Sequence, residues 1–204
     1  GSKPLLTNEI FYKNKFFDDY KLNFAENLLF KNSDETAVYS LKENGSNEQI
    51  SWKSLKENVC KLSSYLKKQG VSKTDRIAAY VPNTIETIIS FLASAKNGCI
   101  WSSCSPDFGI QGVVDRFKQI EPKILISSDC YFYNGKKIDI LSRIPLILKE
   151  IPSIEEVIIF KYNQNEILEH NYKDFYQVIN LSDQDTQFEK FEFNHPIYIL
   201  YSSG

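Results

Sequence analysis

Apolar and polar positions along this chain alternate between the helical and the extended period. Leu55, Val59, Leu62 and Leu66 recur at helical spacing behind Ser51, a residue suited to capping, and Gly70 supplies a left-handed stop. Arg76 to Val81 reads as a buried strand halted by Pro82. Asn83 and Glu86 read as a capping pair for a helix faced by Ile85, Ile88, Ile89 and Leu92 and closed by Gly98. Cys99-Ile100-Trp101 opens another strand. Ile110, Val113, Val114, Phe117 and Ile120 form a further helical stripe, ended by Pro122. Lys123 to Ser127 and Val157 to Phe160 read as strands, with a helical stretch between them broken by Pro145.

Upstream, Asn23 and Glu26 open a short helix over Phe24 to Phe30, and Asn44-Gly45 turns a strand at Thr36–Leu41 into one at Gln49–Ser51. Lys161 to Asn194 is polar and acidic and reads as a surface connection. Ile197 to Tyr201 carries no charge and suits a central strand. Strands and helices joined this way predict an α/β fold, a doubly wound, largely parallel sheet flanked by helices. Residues 1–35 are expected to be an N-terminal helical extension, and 36–204 the α/β unit. Gly1-Ser2 is set aside as an expression scar.

Charge excludes one function class. The net charge is −2 with 25% charged residues, and Lys53, Lys56, Lys61, Lys67 and Lys68 are interleaved with carboxylates on a helix face. Nucleic-acid modules show a basic excess on one face, so no nucleic-acid partner is expected. No apolar run is long enough for a bilayer and no signal peptide precedes the first apolar cluster, so no membrane insertion is expected. Cys60, Cys99, Cys104 and Cys130 form no C-x-x-C pair and lie far from His170 and His195, so neither zinc nor any other metal site is expected. Cys99 and Cys104 read as buried small hydrophobes, and reduced thiols fit a cytoplasmic protein.

The chemistry gathers at the end of the sequence. A strand running directly into Ser202-Ser203-Gly204 can present successive N–H groups and hydroxyls to a phosphate, although many strands end in such a turn without binding anything. Tyr201-Ser202-Ser203-Gly204 is identical to the start of the Tyr-Ser-Ser-Gly-Thr-Thr-Gly-x-Pro-Lys loop of the acyl-adenylate-forming enzymes. Further stretches resemble the acetoacetate-activating branch of that family. They are Leu22 to Leu29, Trp101-Ser102-Ser103-Cys104-Ser105-Pro106-Asp107-Phe108-Gly109, Asp115-Arg116-Phe117, Ile120-Glu121-Pro122-Lys123, Tyr133-Asn134-Gly135-Lys136 and His195 to Gly204.

The resemblance implies an AMP-forming acid–thiol ligase. ATP, with Mg²⁺, activates the carboxylate, and the thiol of coenzyme A then displaces AMP. Ser202, Ser203 and Gly204 would be the ATP phosphate-binding residues, in a loop expected to be cut short. The remaining loop residues, acyl pocket and lid would belong to the remainder of its own chain. On that expectation the 204 residues hold no catalytic residue, bind no cofactor tightly and are inactive alone.

The coenzyme A side would involve Lys136, where relatives acting on acetate carry arginine, with Lys137 adding charge and Ser105 and Asp107 in a nearby loop. Lysine keeps the charge but loses the bidentate fork. The alternatives stay open: both lysines solvate a loop, Ser105-Pro106-Asp107 is a turn feeding a helix, and Trp101 is a packed aromatic. Small-molecule substrates are expected. A synthetase for acetate or butyrate, or a non-catalytic interaction domain of the same fold, are the rival readings. A dinucleotide oxidoreductase is disfavoured, since no Gly-x-Gly-x-x-Gly turn follows the first strand.

Overall fold

The structure, a computed structural model, describes residues 4–162, 167–168 and 171–202. Short strands β1 (Leu5–Leu6), β2 (Lys15–Phe16) and β3 (Lys21–Leu22) lead into helix α1 (Phe24–Leu28), where the Asn23 side chain accepts from Glu26 N as the spacing predicts. Strands β4 (Thr36–Leu41) and β5 (Asn47–Ser51) form a separate antiparallel hairpin. Helix α2 (Trp52–Lys68) follows, capped by Ser51.

The core is built by β6 (Arg76–Tyr80), α3 (Ile85–Lys96), β7 (Ile100–Cys104), α4 (Ile110–Phe117) and β8 (Ile124–Ser128). After a hairpin of β9 (Cys130–Tyr133) and β10 (Lys136–Asp139) come α5 (Ile144–Glu150), β11 (Glu156–Phe160), β12 (Lys173–Asp174), α6 (Phe175–Leu181) and β13 (Phe191–Glu192).

The sheet is parallel throughout and runs β12-β11-β8-β6-β7. The chain moves from β6 outward to β7, then crosses to β8 on the other side of β6. That reversal makes this a doubly wound sheet with its switch point between β6 and β8. Alternation along the strands divides the core. Ile77, Ala79, Ile124, Ile126, Ile158 and Phe160 face α2, α3 and α6, while Ala78, Tyr80, Leu125, Val157 and Ile159 face α4 and α5. Burying an aromatic such as Phe117, fully enclosed on the second side, contributes about 2–3 kcal/mol.

Several local expectations are corrected. The cap of α3 is Thr84, whose hydroxyl accepts from Thr87 N, and not Asn83. Glu86 makes no cap; it is buried and accepts from Tyr176 Oη at 2.5 Å. Pro145 does not break a helix but sits in the first turn of α5, where its missing N–H is harmless. Residues 161–194 hold more than a surface connection: α6 buries Phe175, Val178 and Ile179 and is capped by Asp174. The strand expected at Ile197–Tyr201 lies at the edge of the sheet, beside β7, through one parallel bridge between Trp101 and Tyr198. Trp101 N donates to Ile197 O and Ile199 N to Trp101 O, both at 2.9 Å.

Gly98 aims this edge. At φ +70° it turns α3 into β7, and its carbonyl contacts His195 Nε2 at 2.7 Å. The His195 ring stacks on Phe191, whose ring occupies the space a Gly98 side chain would need.

Candidate functional site

In open parallel sheets ligands bind beyond the carboxyl ends of the strands, at the switch point. Tyr80 ends β6 there. Its hydroxyl donates to Phe108 O at 2.7 Å and lies 3.0 Å from Pro106 O. Arg143 Nη1, just ahead of α5, donates to Tyr80 Oη at 2.7 Å and Pro106 O at 3.1 Å. A buried tyrosine and a guanidinium thus hold the loop after β7 by its carbonyls. Burial pushes the Tyr80 hydroxyl up, against a smaller lowering by Arg143, so it stays a neutral donor.

Ser105 and Asp107 both sit exposed in that loop. Ser105 Oγ donates to Asp107 Oδ2 at 2.8 Å and accepts from Asp107 N at 3.3 Å. Asp107 Oδ1 accepts from Tyr131 Oη at 3.1 Å, which ties the loop to the β9–β10 hairpin.

The hairpin turns on Asn134 and Gly135, both at positive φ, the combination that asparagine–glycine supplies in a tight two-residue turn. Register pairs Tyr133 with Lys136 and Tyr131 with Ile138, so Lys136 shares the face of Tyr131 and Asp107. Lys137 pairs with Phe132 on the other face, where Phe132 meets Tyr162. The two lysines expected to act together therefore point apart. A carboxylate also stands at the turn: Glu43 Oε1 accepts from Gly135 N at 3.0 Å.

Ser202 is exposed. One parallel bridge pairs Trp101 with Tyr198, and Tyr201, immediately before Ser202, reaches the Arg116 carbonyl. Ser102 Oγ donates to Ile199 O at 3.0 Å and Tyr201 Oη to Arg116 O at 2.5 Å, which anchor the approach to Ser202 on β7 and α4. Ser203 and Gly204 lie outside the described residues. The structure thus brings Ser105 and Asp107 together, ties to them through Tyr131 the hairpin face that bears Lys136, and carries Lys137 on the opposite face. Tyr80, Tyr131, Arg116 and Arg143 were missed. Tyr80 carried a usable signal, an aromatic at the carboxyl end of a first strand, whereas Arg143 carried none.

The family described as AMP-binding enzyme matches residues 26–204. The chain belongs to this family. It is 38% identical over 202 residues to acetoacetyl-CoA synthetase of Xenopus tropicalis, covering 93% of this chain and 30% of the relative. It is 38% identical to acetoacetyl-coenzyme A synthetase of Rhizobium meliloti (strain 1021), covering 100% of this chain and 32% of the relative. The solved structure of acetoacetyl-CoA synthetase from Streptomyces lividans superposes with a TM-score of 0.91 at 31% identity, over 98% of this chain and 31% of that one. The chain thus spans about a third of the length of these relatives.

Proposed function

We propose that this AMP-binding chain is the N-terminal part of an ATP-dependent ligase that joins acetoacetate to coenzyme A, releasing AMP and pyrophosphate. Residues 36–204 are its α/β portion and 1–35 an N-terminal extension. The observation that supports the proposal is the shared edge: Tyr201, just before Ser202, bonds the Arg116 carbonyl, the Arg116 guanidinium lies 4.3 Å from the Phe108 ring of the loop after β7, and the hairpin bearing Lys136 is bonded to Asp107 of that loop. The two nucleotides the reaction needs would then approach one end of the sheet.

In the activation step a carboxylate attacks a polyanion, and donors fixed in advance offset the repulsion. Ser202 would offer its hydroxyl and N–H to the phosphates, with Ser203 and Gly204 continuing the nest. Bound magnesium would neutralise charge on the departing pyrophosphate. Among the described residues no three His, Cys, Asp or Glu side chains converge to hold it, so its ligands are not assigned to them. Lys136 would face the phosphates of coenzyme A, with Ser105 and Asp107 as polar neighbours, while Lys137 would contribute only long-range charge.

Small molecules are the proposed substrates, and the remainder of the chain is the proposed partner of this edge. No helix among the described residues is long and apolar enough to cross a membrane. Cys60, Cys99 and Cys104 are buried free thiols, which supports a cytoplasmic site.

The test is AMP formation by the full-length protein given ATP, coenzyme A and one of acetoacetate, acetate or butyrate. Acetoacetate is expected to be turned over best. Turnover of acetate in its place would overturn the substrate, and no acid-dependent AMP at all would overturn the ligase.

A further inference from the structure

Three aromatic or cationic side chains line the ground between the Ser105–Asp107 loop and Ser202. The Arg116 guanidinium lies 4.3 Å from the centre of the Phe108 ring and 5.8 Å from that of Tyr201. Its Nη1 donates back to Gly112 O at 2.8 Å, which holds the side chain along α4. Gly112 leaves room for the stack, because a Cβ there would stand 3.3 Å from Phe108 Cδ1 and 3.6 Å from Arg116 Nη1. Tyr201 Oη closes the set on the Arg116 carbonyl at 2.5 Å. Phe108 is itself fixed, since its carbonyl accepts from Tyr80. One residue of α4 therefore grips the segment 197–201 through both its backbone and its side chain, while its guanidinium also rests on the loop after β7.

We propose that Arg116 is a positioning residue that fixes the start of the phosphate loop relative to the Ser105–Phe108 loop, so that the ATP and coenzyme A ends of the edge move as one element. This rests on the reading of Ser202 as part of an ATP loop and of Ser105–Asp107 as a coenzyme A loop. A guanidinium between two rings supplies a directional contact that an aliphatic side chain lacks.

The experiment uses the full-length protein and two readouts: acetoacetate-dependent ATP–pyrophosphate exchange without coenzyme A, and thioester formation across coenzyme A concentrations. Arg116→Leu is expected to lower the exchange kcat about tenfold, as small misplacements of reacting groups do, with the KM for acetoacetate and the melting midpoint unchanged. Arg116→Lys should restore part of the loss. Phe108→Leu should lower exchange and raise the KM for coenzyme A together, whereas Lys136→Glu should raise only the latter. Tyr201→Phe removes the hydroxyl's bond to the Arg116 carbonyl and should lower exchange about threefold, and combining Phe108→Leu, which removes a ring the guanidinium contacts, with Arg116→Leu should cost no more exchange than Arg116→Leu alone.

If Arg116→Leu does not fold, Tyr201→Phe and Phe108→Leu carry the test. Exchange within about twofold of wild type in Arg116→Leu, or losses that multiply in the double variant, would overturn the coupling while leaving the ligase intact. A wild-type protein without acid-dependent exchange would instead overturn the underlying reading of the loop.

Discussion

Asp185→Asn should destabilise the protein far more than removal of its buried partner, Lys96. The Lys96 side chain is 0% exposed, and Asp185 lies 3.5 Å from its Nζ. At that distance and an effective dielectric of about 20, the direct attraction is about 5 kcal/mol. Asp185 is 27% exposed and also pairs with Lys67 at 2.8 Å, so solvent screens part of this. The Phe188 ring, 4.9 Å from Lys96 Nζ, remains in either variant. Breaking a buried pair on one side costs about 3–5 kcal/mol, and screening reduces the expectation here to about 2–3 kcal/mol. Asparagine keeps an oxygen for Gln187 N, so the local turn is not the source of the loss.

Lys96→Met, by contrast, leaves Asp185 paired with Lys67 and should change stability by less than about 1 kcal/mol; the double variant should resemble it. Urea unfolding at constant m-value measures all three. A Lys96→Met loss equal to that of Asp185→Asn would refute the reasoning, because it would make the lysine's packing, not its uncompensated charge, the source. Asp185 also sets an acid limit. The hydrogen bond from Lys67 holds Asp185 down to about 2 from 3.8. Because the folded state binds this proton less readily, its contribution is complete above about pH 4 and is lost as pH falls towards about 2.

Gly98→Ala should cost about 2–3 kcal/mol, since the backbone is at φ +70° and the new Cβ would stand 2.7 Å from Phe191 ring carbons; a thermal midpoint within error of wild type would contradict this. Cys99 and Cys104, whose thiols burial pushes up to about 12 and about 11, should resist iodoacetamide at pH 8 until the protein unfolds. Rapid labelling of the native protein would show that this edge opens.

The sheet was legible because Ile77–Tyr80, Ile124–Ile126 and Val157–Phe160 are continuous apolar runs, and both capping asparagine and serine at Asn23 and Ser51 act as their spacing implies. The α6 helix was not, because only three of its residues face the core and the surrounding polar stretch hides the period. Asn83 and Glu86 had the right spacing for a cap, but Thr84 took the extended backbone conformation a cap needs and Glu86 turned inward to Tyr176. At the site, Ser105, Asp107 and Ser202 followed from local motifs. The separation of Lys136 from Lys137 did not, because strand alternation decides it and the residues read as a loop. Arg143 and Tyr80 meet across 63 positions, a pairing no local pattern records.

If one edge of this sheet serves coenzyme A as well as ATP, Lys136 and Lys137 must differ. The decisive measurement is the coenzyme A dependence of thioester formation by the full-length protein carrying Lys136→Glu or Lys137→Glu. Lys136→Glu should raise the KM for coenzyme A about five- to tenfold without altering pyrophosphate exchange, and Lys137→Glu should stay within about twofold of wild type. Equal effects of the two substitutions, or none from Lys136→Glu, would contradict a coenzyme A site on this face of the hairpin.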